Sequence, residues 1–187
     1  MRTKLLYGLA AVSLLLACQS NSFQISGYAR AFEEGDTICL SLDEQDENPF
    51  AQTIVREGKF LFAGETDSFR ICRIYVKRQP ECGTTFFLES GHITIELYPS
   101  PAISRVSGTL CNNEWQHLSD SINLLAEDIA SILRQPSPDL QTQQTSTHVI
   151  DSLHRRMSDC ILNTAQRNND NPLGRFILEN YKKPEFK

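Results

Sequence analysis

Between residues 86 and 115, in the stretch FFLESGHITIELYPSPAISRVSGTLCNNEW, the apolar spacing of this chain changes from two to an alternation of three and four. A spacing of two puts successive side chains on opposite faces of a strand, whereas three and four put them on one stripe of a helix. No single element satisfies both patterns. The chain therefore divides into a strand-rich part before this stretch and a helical part after it.

On the strand side, Phe23, Ile25, Gly27 and Ala29 share a face, and Ile38, Leu40 and Leu42 share one after the turn at residues 33–36. Both read as half-buried strands. Residues 43–50, DEQDENPF, are acidic, contain a proline and lack a period, so they form a loop. A third strand is expected over residues 52–56. Glu57-Gly58 then turns the chain into residues 59–64, with Phe60 and Phe62 on one face. Residues 69–77, FRICRIYVK, carry apolar groups on both faces and predict a strand covered on both sides. A turn is expected at residues 78–83, then Phe86-Phe87-Leu88, a tight Ser90-Gly91 turn, and the alternating Ile93, Ile95 and Leu97. Seven or eight short strands with turns roughly every 8–12 residues predict an antiparallel β-sandwich or open barrel.

Past Gly108, Trp115, Leu118, Ile122, Leu125, Ile129 and Ile132 form one seam on a helix that Pro136 and Pro138 end. QTQQTST, residues 141–147, reads as a polar loop. Ile150, Leu153, Met157, Cys160 or Ile161, and Thr164 mark a second helix, which residues 168–171 stop. Pro172 suits the first turn of a short last helix. Helices with a single seam each need partners, so they should pack on each other and on the sheet. The fold class is α+β. A β domain is expected over residues 23–110 and a helical region over residues 111–187.

At the N-terminus, Arg2 and Lys4 precede the uncharged run LLYGLAAVSLLLA, the order of a secretory signal peptide. The run is shorter than the about 20 apolar residues that span a membrane. It ends in Leu15-Leu16-Ala17-Cys18, which resembles the lipobox of bacterial lipoproteins, although Leu16 is bulkier than the residue usual there. That resemblance implies removal of residues 1–17 and acylation of Cys18, palmitate included. Residues 18–22 become a tether. The implied address is the cell envelope, on the periplasm-facing side of the outer membrane. A net charge of −5 with scattered Lys and Arg leaves no basic stripe for nucleic acid.

Of six cysteines, Cys18 is the expected lipidation site. Cys39, Cys72, Cys82, Cys111 and Cys160 remain as disulfide partners or free thiols. Their odd number leaves at least one unpaired within the chain. Cys39 and Cys72 both lie in strand-like runs, so a bridge between neighbouring strands is open. Cys111 and Cys160 are poor partners, because helices folded back about residues 135–146 set Cys160 opposite roughly residue 120.

The order of features also resembles the domain of unknown function numbered 4369, found in secreted or lipid-anchored bacterial proteins. The residues that carry the resemblance are 23–27, 58–64 (GKFLFAG), 87–93 (FLESGHI), and Ser107-Gly108-Thr109 leading into Asn112-Asn113, with Asn171-Pro172 further on. These are packing and turn residues, so the resemblance implies a fold and an address rather than a site. In that family the β-rich domain and a helical segment often precede a thioredoxin-like thiol-disulfide domain. The present reading is of the domain without it, and with no C-x-x-C in the sequence no redox residue carries over.

Candidate constellations are few. Glu114-x-x-His117 and Asp151-x-x-His154 have the spacing with which helical bundles hold two metals. In an antiparallel hairpin, however, His154 falls opposite roughly residue 126, more than two turns from His117. Solvated helix faces, and no metal, are the expectation. Cys111 lies near a helix N-terminus, a position that lowers a thiol pKa, and Cys82 falls in an expected exposed turn. Either is a possible reactive thiol, with a structural role the simpler reading. The acidic clusters at residues 33–36 and 43–47 lack the spacing of a calcium loop. Nucleophile-elbow, phosphate-loop and dinucleotide motifs are absent. The expectation is thus a non-enzymatic, membrane-anchored binding or assembly module with no catalytic residue or cofactor. It would meet the membrane through its lipid and a protein or small-molecule partner. An accessory to thiol-disulfide exchange, or a purely structural envelope protein, is the alternative.

Overall fold

The computed structural model describes residues 21–42, 48–135 and 139–181. The signal segment, Cys18, most of the tether, the acidic run 43–47, Pro136, Pro138 and the last six residues lie outside the described residues.

Among the described residues, eight strands precede three helices: β1 (Ser22–Tyr28), β2 (Thr37–Ser41), β3 (Ala51–Ile54), β4 (Lys59–Glu65), β5 (Arg70–Val76), β6 (Gln79–Leu88), β7 (Gly91–Glu96), β8 (Arg105–Ser107), α1 (Leu110–Arg134), α2 (Leu140–Arg167) and α3 (Pro172–Asn180). The strands form two four-stranded sheets, ordered β4-β1-β7-β8 and β3-β2-β5-β6. The fold is a sandwich, not a closed barrel. One pairing departs from the antiparallel expectation: β1 runs parallel to β7, with Ile25 beside Ile93. The chain between them builds the whole second sheet as well as β4, and only a long crossover of this kind, not a tight hairpin, allows a strand to return in the parallel sense.

The inner faces are those that the alternation marks. Ile25, Phe60, Phe62, Ile93 and Ile95 of one sheet meet Ile38, Leu40, Ile74, Val76 and Phe86 of the other. Fully burying each such side chain contributes about 1.5–3 kcal/mol. Phe87 points to the outer face of β6. There it nucleates a second core with Cys111, Leu118, Ala165, Leu173 and Ile177 from the helices. Its ring lies 5.2 Å from Phe69, 5.7 Å from Trp115 and 5.4 Å from Phe176. Trp115 packs against both cores and so joins the helical layer to the sandwich.

Three expectations are corrected. The turn placed at residues 78–83 is only the two residues between Val76 and Gln79, and Cys82 lies inside β6. Residues 141–147 are helical, because Asp139 caps α2 by accepting a hydrogen bond from the Thr142 N–H. Their lack of an apolar stripe reflects exposure at the hairpin tip rather than loop structure. The outer face of β5 is covered only in part, since Tyr75 is buried while Ile71 is exposed. The last helix starts as expected, with Asn171 accepting from the Leu173 and Gly174 N–H groups ahead of Pro172.

Where the two sheets come together at β6 and β8, α1 closes the edge with side-chain amides. Asn112, fully buried, accepts from the Phe87 N–H at 2.9 Å and donates to the Phe87 carbonyl at 2.8 Å. Gln116 accepts from the Val106 N–H at 2.7 Å, and Asn113 accepts from the Gly108 N–H at 2.9 Å. Glu89 in turn accepts from the Cys111 N–H, satisfying a donor of the first helical turn. Gly108 itself needs φ +110°, and a Cβ there would run into the His92 carbonyl.

Candidate functional site

The opposite edge of the sandwich, formed by β3 and β4, has no such cover. Along its length β3 pairs only with β2 and β4 only with β1, and among the described residues the one bridge on the far side of β4 is that of Lys59 with Arg56 at the turn between them. Along β4, Phe60 and Phe62 point inward while Lys59, Leu61, Ala63 and Glu65 face outward and are exposed. Lys59 exchanges two main-chain hydrogen bonds with Arg56 across the turn, on the side away from β1. Antiparallel ladders alternate bonding direction residue by residue. The main-chain groups of Leu61, Ala63 and Glu65 therefore also face away from β1, toward the open edge.

A groove of about 600 Å³ lies against this edge. Ile54, Phe60 and Leu61 supply its apolar lining, and Arg56 and Lys59 a basic rim. Ile54 and Leu61 are exposed large apolar residues. The groove is shaped from inside by Gly27, because a Cβ at that position would lie within the Phe60 ring. An edge with free donors, free acceptors and apolar side chains can add a strand from another chain.

The cysteines divide by environment. All five cysteines among the described residues are free thiols. Cys39 sits opposite Tyr75, three residues from Cys72, so the two thiols occupy opposite faces about 10 Å apart along the sheet. That separation rules out the bridge considered between them. Cys82 is buried in the sandwich core instead of exposed. Cys111 is at the start of α1, but the helix terminus does not activate it. Burial and the neighbouring Glu89 carboxylate push its pKa up to about 12. Burial raises Cys72 to about 11 and also raises Cys39. Cys160 alone among the described cysteines is partly exposed, in an interhelical cleft of about 170 Å³ that it shares with His117, Ser121 and Arg167.

Residues 23–115 match the family model described as a domain of unknown function, DUF4369. The strand-rich part of this chain is a DUF4369 domain. No curated protein matches the chain. The matched segment of the DUF4369 domain runs from β1 to Trp115, the residue that touches both cores. It thus takes in all eight strands, the open groove and the first turns of α1 with Asn112 and Asn113.

The remaining candidates lie in or beyond the DUF4369 domain and do not converge. The Glu114 carboxylate contacts Arg167 and Asn168, both at 3.4 Å. His154 is thirteen residues earlier on α2, about 20 Å away along the helix. The two carboxylate-x-x-His pairs thus cannot share a metal. Glu33 and Asp36 are held by Arg78 at 2.9 and 3.0 Å, and Glu34 accepts from the Glu57 N–H. Those acids staple a turn. The pairing of His117 with Cys160 in one cleft is the one juxtaposition sequence spacing missed, since 43 positions separate them; only the hairpin register signalled it.

Proposed function

We propose that this chain is a lipid-anchored, non-enzymatic binding or assembly module of the bacterial cell envelope, and that its contact surface is the open β3/β4 edge. The asymmetry of the sandwich carries the reading: α1 seals the β6/β8 edge with amide side chains, whereas the β3/β4 edge keeps free main-chain groups beside an apolar groove. The resemblance of Leu15-Leu16-Ala17-Cys18 to a lipobox supports the anchor and the address. Its membrane contact is the lipid, and no nucleic acid is involved.

In-cell photo-cross-linking from a benzoylphenylalanine at Leu61, followed by mass spectrometry, tests the contact surface. A specific protein adduct is expected from Leu61 and not from Leu162 on the exposed face of α2. Absence of any adduct from Leu61 would sink the reading. Palmitate labelling tests the anchor and should disappear in Cys18→Ala; persistence of label would show that Cys18 is not acylated.

The cleft at Cys160 favours a second reading, an accessory to thiol-disulfide exchange, because the one partly exposed thiol among the described residues shares it with an imidazole, His117, and a guanidinium, Arg167. Iodoacetamide labelling of unreduced protein decides it. Rapid modification of Cys160 alone supports the reading, and an inert Cys160 removes it.

A further inference from the structure

We propose that the cleft between α1 and the sandwich, walled by Trp115 and Tyr181, binds one ring of an uncharged saccharide. The cleft lies at the sealed edge of the sandwich, so the proposal goes beyond the reading of the β3/β4 edge as a contact surface and does not depend on it.

The cleft has a volume of about 270 Å³. Pockets that enclose drug-sized ligands run to roughly 300–1,000 Å³, so an occupant here is about the size of a single ring. Three parts of the fold meet at it. Thr84 and Thr85 come from β6, Trp115, Ser119 and Asn123 from α1, and Tyr181 directly follows α3. Successive spacings of four set the three α1 residues in one row on the helix surface. Among the described residues, no Asp, Glu, Lys, Arg or His lines the cleft, so nothing in it would compensate a charge on the ligand.

The polar lining divides into groups that the fold uses and groups that it leaves over. Gln116 accepts from the Val106 N–H and donates to Asp120, Ser104 accepts from the Tyr98 N–H, and Thr84 donates to the Thr85 carbonyl. The hydroxyls of Thr85 and Ser119 and the amide of Asn123 make no hydrogen bond to another described residue. Nor does the Tyr181 hydroxyl, whose pKa is raised by burial alone. Each hydroxyl can both donate and accept, and the amide offers two donors and an acceptor. Coming from three walls, they match hydroxyls spread around a ring better than the single polar edge of a planar base.

Trp115 supplies the apolar platform. Phe87 and Phe176 pack against its ring at 5.7 and 5.6 Å, and the half-buried side chain also lines the cleft beside Tyr181, 6.4 Å away. A ring already held by its neighbours loses little freedom when a ligand stacks on it. The face of an aromatic ring is its negative pole, and the C–H groups on one face of a pyranose are slightly positive. A sugar ring, with its apolar face and hydroxylated rim, therefore fits an aromatic wall set among free hydroxyls and an amide. Because Trp115 touches both cores, the site is complete only where the helical layer is docked on the sandwich.

Trp115 is the only tryptophan in the sequence, so its fluorescence reports the cleft directly. The full chain, in a detergent without a sugar headgroup, is titrated with glucose, N-acetylglucosamine and cellobiose, and by calorimetry with thymidine as the planar comparison. At least one sugar should change the emission saturably, with a dissociation constant on the order of 1 mM, the scale that about a dozen heavy atoms reach. Thr85→Val and Asn123→Ala should each weaken that binding roughly 2- to 10-fold. Neither removes a hydrogen bond within the described residues, so both variants should melt with the parent in circular dichroism, which separates lost binding from lost fold. Sugar binding unchanged in both variants would overturn the cleft as the site. Thymidine binding without sugar binding would overturn the ligand class. No response to any probe up to about 50 mM would overturn the proposal as a whole.

Discussion

Asn112→Leu is the substitution that most directly tests how the helical layer is fixed to the sandwich. The side chain is fully buried and its amide makes three hydrogen bonds, two to the main chain of Phe87 and one to the Thr109 hydroxyl at 2.7 Å. Leucine keeps the volume but leaves the Phe87 N–H and carbonyl without partners beneath α1. Each buried orphan costs about 1–3 kcal/mol, so the pair costs roughly 2–6 kcal/mol. The gain from burying apolar atoms offsets about 1 kcal/mol of that. Against a total stability of about 5–15 kcal/mol, a net loss near 3 kcal/mol lowers the melting temperature by about 6–12 °C in a domain of this size. Circular dichroism melts and urea titrations of the parent and variant measure it. Asn113→Ala is the internal comparison, because it removes a single bond to the exposed Gly108 N–H and should cost less than about 1 kcal/mol. If Asn112→Leu loses no more than Asn113→Ala, the amides are not what closes this edge.

Other outcomes follow from the same physics. Gly27→Ala drives a methyl into the Phe60 ring and should destabilise by about 1–3 kcal/mol in denaturant titrations, with Gly27→Ala/Phe60→Leu regaining part of it. Cys111 has a folded pKa raised above its unfolded value, so the stability it contributes is complete below pH 9 and falls as pH rises toward about 12. Urea midpoints measured between pH 8 and pH 11 should decline, and Cys111→Ala should decline less; an unchanged slope would refute the assignment. Arg105→Ala removes a bidentate but exposed pair with Asp120, 3.0 and 2.6 Å, and should cost no more than about 1 kcal/mol. Its effect should shrink below pH 4, where the Asp120 carboxyl, held under its usual range by Arg105, takes up a proton.

Much of the fold was legible because alternation and helical spacing are local. Ile25, Ile38, Phe60, Phe62, Ile74 and Ile93 could be assigned to inner faces one strand at a time, since the pleat fixes the face of each side chain. The start of α2 was not legible, because a polar helix tip held by a single Asp139 cap has no apolar stripe to read. The burial of Cys82 and the raised pKa of Cys111 were not legible for a different reason. Both depend on what covers the thiol, and the covering residues come from other elements.

The open edge shows the same division. That Lys59, Leu61, Ala63 and Glu65 share a face is written in the order of residues along β4. Whether that strand has a neighbour is not. Edge or centre is decided by contacts between residues far apart in the chain: the Asn112 amide reaching Phe87 across 25 positions closes one end of the sandwich, and no side chain among the described residues makes such a bond to the outward main chain of Leu61 or Ala63 at the other. The sequence by itself determined two layers, the inward face of each strand and the seam of each helix, because those follow from periods of two and 3.6 residues. Only the tertiary structure decided which edge is sealed, which thiol is exposed and where a partner strand can add, because hydrogen-bond satisfaction and burial depend on the whole set of neighbours.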